Sequence, residues 1–196
     1  MNLMRLSFFL IICGLGVLGL ALVSGNEQRQ AIKDDTESPI KQTNVPGFTV
    51  VGIAARTDNA KESTSDGIIP KQWQKFFSEG MVGQIQNKTG PNLYAVYTDY
   101  ASGHNGEYTY AVGTAVKDGT AAPTGMVVKR VPTGLYAVFT TEIGPFAKVV
   151  PATWQRIFKL EAEGELKRAY KTDFEIYDQR AQNPQSAQID IYIGLK

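Results

Sequence analysis

The chain has 196 residues, 43% hydrophobic and 20% charged, which suits one ordinary globular domain with some sequence to spare and excludes a disordered or fibrous chain. Lys and Arg outnumber Asp and Glu by only one, and with Arg5 set in the N-terminal segment residues 26–196 carry 19 of each sign. A neutral domain has no electrostatic footprint for DNA or RNA, so nucleic acid is excluded as an expected partner.

Leu6 to Gly25 carry no charge around the apolar core Phe8-Phe9-Leu10-Ile11-Ile12, behind a positive front end of Arg5 and the α-amino group. Residues 1–25 therefore read as a signal peptide or a membrane anchor, a transmembrane segment if retained. The expected location is either membrane-anchored with an extracytoplasmic domain, or exported after cleavage near Gly25. Cys13 is the only cysteine, and Ile12 before it is bulkier than a lipidation site takes. The remainder has no thiol, which excludes disulfides, thiolate metal sites and Cys nucleophiles. Gly14-Leu15-Gly16-Val17-Leu18-Gly19 matches the dinucleotide fingerprint but follows no strand and lies inside the apolar run, so the match is accidental. Residues 26–45 are polar, lack a periodic apolar face, and read as a linker.

From Pro46 onward the chain repeats itself. Ile69-Pro70-Lys71-Gln72-Trp73-Gln74-Lys75-Phe76-Phe77 aligns with Val150-Pro151-Ala152-Thr153-Trp154-Gln155-Arg156-Ile157-Phe158, sharing Pro, Trp, Gln and the last Phe at an offset of 81. Each segment predicts a helix, with Pro in the first turn and an apolar stripe behind it to lie on a sheet. A strand from Phe48 to Ala55 precedes the first helix. Leu93 to Tyr100 and Glu107 to Val116 follow it, around the Ser102-Gly103-His104-Asn105-Gly106 loop. In the second half a short strand from Met126 to Val131, a Pro132-Thr133-Gly134 turn and a strand from Leu135 to Thr141 precede the helix; Asp173 to Asp178 and Ala187 to Leu195 follow it. The expected fold class is α+β, with two pseudo-symmetric βαββ halves whose antiparallel sheets close against each other and enclose a ligand cleft.

The segments Leu93-Tyr94-Ala95-Val96-Tyr97-Thr98-Asp99-Tyr100, Tyr108-Thr109-Tyr110-Ala111-Val112-Gly113, Pro132-Thr133-Gly134-Leu135-Tyr136-Ala137-Val138-Phe139 and Asp173-Phe174-Glu175-Ile176-Tyr177-Asp178, in this order and with the doubled Pro-x-x-Trp-Gln, resemble the GyrI-like effector-binding domain. The resemblance covers residues 46–196 and is close to the stand-alone, integron-cassette type, related to the drug-binding domains of some bacterial transcription activators. Those activators carry a DNA-binding region where this sequence has an apolar segment and a linker, so transcriptional control by this chain alone is not expected. The resemblance implies an aromatic cleft between the halves with one glutamate facing cationic, lipophilic ligands, a position that matches Glu175.

Strand alternation puts Glu175 opposite Phe174 and Ile176, so it faces the cleft if those two face the helices. Ala95 falls at the pseudo-symmetric place, leaving one carboxylate and arguing against a paired-carboxylate hydrolysis. Tyr97, Tyr108, Tyr110, Tyr136 and Tyr177 lie on predicted strands and are ligand candidates for their large apolar faces and polar tips. Trp73 and Trp154 belong by spacing to the helix-to-sheet core; Trp73 is also kept as a ligand candidate. His104, the only histidine, reads as an exposed turn residue, no catalytic residue, metal site or cofactor is expected, and the charged stretch Lys159 to Arg168 reads as a solvated helix end.

The preferred function is capture of a small hydrophobic ligand, cationic ones included, by an extracytoplasmic sensor or sequestering module, monomer or homodimer, attached to the membrane through its N-terminal segment. The alternative is a hydrolase of small reactive electrophilic compounds using the cleft glutamate.

Overall fold

The structure is a computed structural model that describes residues 40–196. The N-terminal apolar segment and most of the linker lie outside the described residues. Among those described, no helix is long and apolar enough to cross a membrane.

Eight strands form one antiparallel sheet: β1 Lys41–Val45, β2 Phe48–Thr57, β3 Lys88–Thr98, β4 Tyr108–Val116, β5 Val127–Val131, β6 Gly134–Thr140, β7 Thr172–Tyr177 and β8 Asp190–Gly194. The helices are α1 Asn59–Glu62, α2 Ile69–Ser78, α3 Met81–Gln84 and α4 Phe146–Ala162. The α+β architecture and its doubled unit are as the sequence predicts. The halves, however, meet edge to edge and not face to face. The strand order is β1-β6-β8-β7-β3-β4-β2-β5, and β3 pairs with β7 to join the two halves. The paired stretches, Leu93 to Thr98 and Thr172 to Tyr177, carry aromatic and β-branched residues, so each has an edge better buried in a ladder than left in water.

This sheet must curl. Only Pro46 and Gly47 separate β1 from β2, and only Pro132 and Thr133 separate β5 from β6, although each pair lies at opposite ends of the strand order. A link this short reaches about 10 Å, whereas a flat eight-stranded sheet is roughly 33 Å wide. The contacts agree: the Phe48 ring on β2 lies 5.4 Å from the Phe174 ring on β7, three strands away. Gly52 and Gly113 allow the close approach of β2 and β4, since they face each other in register and a Cβ on Gly52 would land on the Val112 carbonyl oxygen. Inside the curl sit Val50, Val96, Ala111, Val131, Tyr136 and Phe174.

The outer face takes the helices. Phe76 of α2 packs with Val51, Ile53, Tyr110 and Val112, and Ile157 and Leu160 of α4 pack with Ala137, Phe139, Ile191 and Ile193. Trp154 touches both clusters and so ties the halves together. Pro70 stands in the first turn of α2 as expected, where its missing N–H costs nothing. Pro151 does not repeat this: α4 starts at Phe146, so Pro151 is interior and the Ala147 carbonyl has no amide partner from it.

The linker that the sequence predicts over residues 26–45 ends earlier: Lys41–Val45 is strand β1, paired with β6 from Lys41↔Val138 to Val45↔Gly134. As an exposed edge it lacks the apolar alternation that marks a strand. The stretch Lys159 to Arg168 is not all solvated: Arg168 is buried beyond the end of α4.

Candidate functional site

The site forms where the two halves join. Ala95 of β3 and Glu175 of β7 are directly opposed in register, and Tyr97 and Tyr177 each lie two residues further along their strands. The pseudo-twofold axis of the repeat therefore passes through the Ala95–Glu175 pair, and the two tyrosines come back to the same carboxylate from either side. The Tyr97 hydroxyl donates to Glu175 Oε1 at 2.9 Å and the Tyr177 hydroxyl to Oε2 at 2.6 Å. A third donor comes from α4, the Trp154 indole N–H, 2.7 Å from Oε1.

Glu175 is 1% exposed. Burial penalises the charged form and raises its pKa, against which the donors from Tyr177, Trp154 and Tyr97 work to lower it. The same burial, with the glutamate beside them, pushes the Tyr97, Tyr110 and Tyr177 phenols well above their ordinary range, so these are donors at any physiological pH.

Alternation fixes which residues share this face. Glu175 and Tyr177 of β7, Tyr97 of β3, and Tyr108 and Tyr110 of β4 all lie on the helix side. Phe174 and Ile176 lie inside the curl with Tyr94, so the premise that they face the helices is reversed: the carboxylate and the helices share one side of the sheet. Tyr97 makes ring contacts with Tyr108 at 5.6 Å, Tyr110 at 5.1 Å and Trp154 at 4.9 Å, and Trp73 lies 4.8 Å from Tyr177. Such pairs contribute about 0.5–1.5 kcal/mol each beyond area burial. The Tyr110 hydroxyl is buried without a hydrogen-bond partner among the described residues. Tyr136 is the exception among the sequence-derived candidates. It lies inside the curl, 5.2 Å from the Phe174 ring, with its hydroxyl on the Pro132 carbonyl, because an even-numbered residue of β6 faces away from α4.

Beside this cluster a cleft of about 370 Å³ opens between the halves, within the range of small-molecule sites. Asn59 and Glu62 of α1, Tyr97, Tyr100 and Tyr108 form one wall; Val150, Pro151, Trp154 and Phe158 of α4 form the other. His104 is exposed on its loop as expected, yet it closes the rim with its ring edge-on to Phe158 at 4.5 Å. Glu62 holds its place by accepting from the amides of Ile68 and Ile69 and from the Thr57 hydroxyl, which caps the start of α2.

The end wall went unnoticed in the sequence. Arg168 stacks over Tyr170 at 4.4 Å and Trp154 at 5.6 Å, and pairs with Asp173 at 2.7 Å and Glu161 at 3.3 Å. Asp173 also accepts from the Tyr100 hydroxyl at 2.6 Å and the Gly194 amide at 2.8 Å, so its carboxylate is well satisfied, whereas Nε of Arg168 is buried without a hydrogen-bond partner among the described residues. The only hint was an Asp directly before Phe174 in β7. No cluster of three or more His, Cys, Asp or Glu among the described residues is placed to hold a metal ion.

A curled α+β sheet of two like halves, with an aromatic cleft where they join, defines a small-molecule effector-binding domain of the GyrI-like kind. Residues 42–195 match the family model described as integron-associated effector binding protein, and the chain belongs to that family. It is 35% identical over 146 residues to YobU of Bacillus subtilis (strain 168), named as a candidate transcriptional regulator, covering 74% of this chain and 90% of that one. It is 34% identical over 153 residues to the transcriptional regulator BrlR of Pseudomonas aeruginosa, covering 76% of this chain and 53% of BrlR. Among solved structures, an integron cassette protein from the mobile metagenome of Vibrio cholerae superposes with a TM-score of 0.64 at 25% identity, over 81% of this chain and 97% of the other. SAV2435 bound to tetraphenylphosphonium shares the fold with a TM-score of 0.64 at 18% identity, over 80% of this chain and 93% of the other. Membership of an effector-binding family makes small-molecule binding the function class of this chain.

Proposed function

We propose that the cleft captures a small lipophilic cation, with Glu175 as its countercharge and the surrounding rings as its apolar walls. The observation that carries this reading is the Glu175 carboxylate, 1% exposed, raised in pKa by burial and without a cationic side chain on it among the described residues, set behind an aromatic cleft. A buried carboxylate is costly in the free protein, and an organic cation offsets that cost where a neutral ligand does not. Aromatic faces add cation–π attraction at close range. The binding of tetraphenylphosphonium by SAV2435, a protein of the same fold, supports the choice of that ion as a probe. We further propose that the domain works outside the cytoplasm, tethered or released through the apolar segment of residues 6–25, as a sensor or sequestering module.

The hydrolase alternative has no observation of its own: Ala95 faces Glu175 where a second carboxylate would stand. The test is titration of the chain with tetraphenylphosphonium by calorimetry, then mass analysis of cationic and electrophilic ligands after incubation. Saturable binding with ligand mass unchanged is expected. Absence of saturable binding would sink the capture reading, and a turned-over electrophile would replace it with the hydrolase. Location is tested by fractionating tagged full-length protein, where a wholly cytosolic distribution refutes the tether.

A further inference from the structure

The cleft and the carboxylate are neighbours that do not touch. Tyr97 and Trp154 line the cleft, whereas Glu175 lies behind them. A ligand group that reaches Glu175 from the cleft must pass one of these two rings. Tyr97 is fixed: it is 7% exposed on a central strand and wedged against Tyr108 and Tyr110. Trp154 is half-buried: its ring packs on Tyr97 at 4.9 Å and Phe158 at 5.6 Å under the Arg168 guanidinium, but a single N–H···O bond of 2.7 Å is all that ties it to the carboxylate. The helix that carries it is weakened just before it. Pro151 supplies no amide to the Ala147 carbonyl, and the Thr153 hydroxyl bonds back to the Val149 carbonyl at 2.9 Å.

We propose that Trp154 is a gate: its indole N–H occupies the place on Glu175 that a ligand's cationic group takes, and the ligand enters by turning this ring off the carboxylate. The inference rests on the reading that the cleft takes a cation. In the closed state Glu175 has three donors; in the open state the cation replaces one of them while Tyr97 and Tyr177 keep theirs. The carboxylate is never bare, and the exchange costs one hydrogen bond. The free protein thus competes with its own ligand, and apparent affinity is reduced by the closed fraction.

The experiment uses the full-length chain as wild type, Trp154→Phe, Glu175→Gln and Trp73→Phe, with tetraphenylphosphonium and the neutral triphenylphosphine oxide as probes. Trp154→Phe keeps a ring on α4 but cannot bond to Glu175. The ratio of cation to neutral affinity should rise by about tenfold, the scale of one hydrogen bond to a charged group. A Trp154 that merely packs against ligand would change both affinities in parallel, and that result overturns the gate. In Trp73→Phe, Trp154 is the sole tryptophan, and its emission should shift on adding the cation as the indole leaves the carboxylate. An unmoved emission at saturation also overturns the gate, even if Trp154→Phe fails to fold. Cation binding that Glu175→Gln weakens, with no Trp154 response, rejects the gate and keeps the capture reading. No cation binding by wild type rejects both.

Discussion

Replacing Glu175 by Gln separates what the carboxylate costs the fold from what it gives the ligand. The amide oxygen can stand at Oε1 and still accept from Tyr97 and Trp154, while the amide nitrogen stands at Oε2 and donates to a Tyr177 hydroxyl turned to receive it. Shape and hydrogen-bond count survive; only the charge is lost. Cation affinity should fall by about 1–3 kcal/mol, the scale of a hydrogen bond to a charged group, and that of triphenylphosphine oxide much less. Stability should move the other way. The folded-state pKa of Glu175 is raised above the ordinary 4.5, so the folded protein keeps a proton that the unfolded chain releases. By linkage, wild type loses stability as pH rises from about 4.5 through the folded-state pKa, and Glu175→Gln does not. The variant should melt higher at neutral pH, by about 2–4 °C for each kcal/mol, with the gap closing below pH ~4.5. Parallel calorimetric titrations and melts from pH 4 to 8 measure both effects. A variant that loses both probes equally, or melts lower than wild type at pH 7, refutes the reasoning, since the three donors would then outweigh burial.

Arg168→Met strands the fully buried Asp173 without its cation and should cost about 3–5 kcal/mol in urea unfolding, because breaking one partner of a buried pair leaves an uncompensated charge. A loss under 1 kcal/mol would mean that Tyr100 and the Gly194 amide suffice. Gly52→Ala places a methyl on the Val112 carbonyl oxygen and should destabilise by about 1–3 kcal/mol or more, whereas Gly83→Ala, with open space around it, should not, as urea midpoints would show. A fragment beginning at residue 40 should give a cooperative melt, and one beginning at Pro46 should melt lower because it strips β1 from β6; equal melting temperatures would show that the edge strand contributes nothing.

The repeat was legible because Pro-x-x-Trp-Gln recurs with helical apolar spacing, and both helices form. Glu175, Tyr97, Tyr108, Tyr110, Tyr177 and Trp73 were legible as strand and helix residues of one cluster, and the structure gathers them on one face. What alternation cannot decide is which face of a strand meets the helices. That depends on long-range pairing, so the sequence leaves the side of Phe174 open and does not separate Tyr136 from the tyrosines on the helix side. The edge strand β1 was hidden by its polar, exposed composition. Arg168 was hidden by its neighbours: five of the residues from Lys159 to Lys167 are charged, and nothing local marks the next one as the partner of a buried aspartate. Trp154 was seen as core; its bond to Glu175 requires knowing that the second helix lies over the seam between the halves.

That seam explains why the chain has one such glutamate. Residues 95 and 175 are equivalent in the repeat and also face each other across the ladder. A perfectly symmetric doubling would therefore set two carboxylates side by side in a dry interior, where directly opposed like charges destabilise a sheet. Two identical halves could keep the acid only by holding a proton between the two carboxyls, which would neutralise one of them. A lone buried charge at the axis needs a chain whose two copies can differ, so fusing the halves is a condition for the site, and Ala95 is as much a part of it as Glu175.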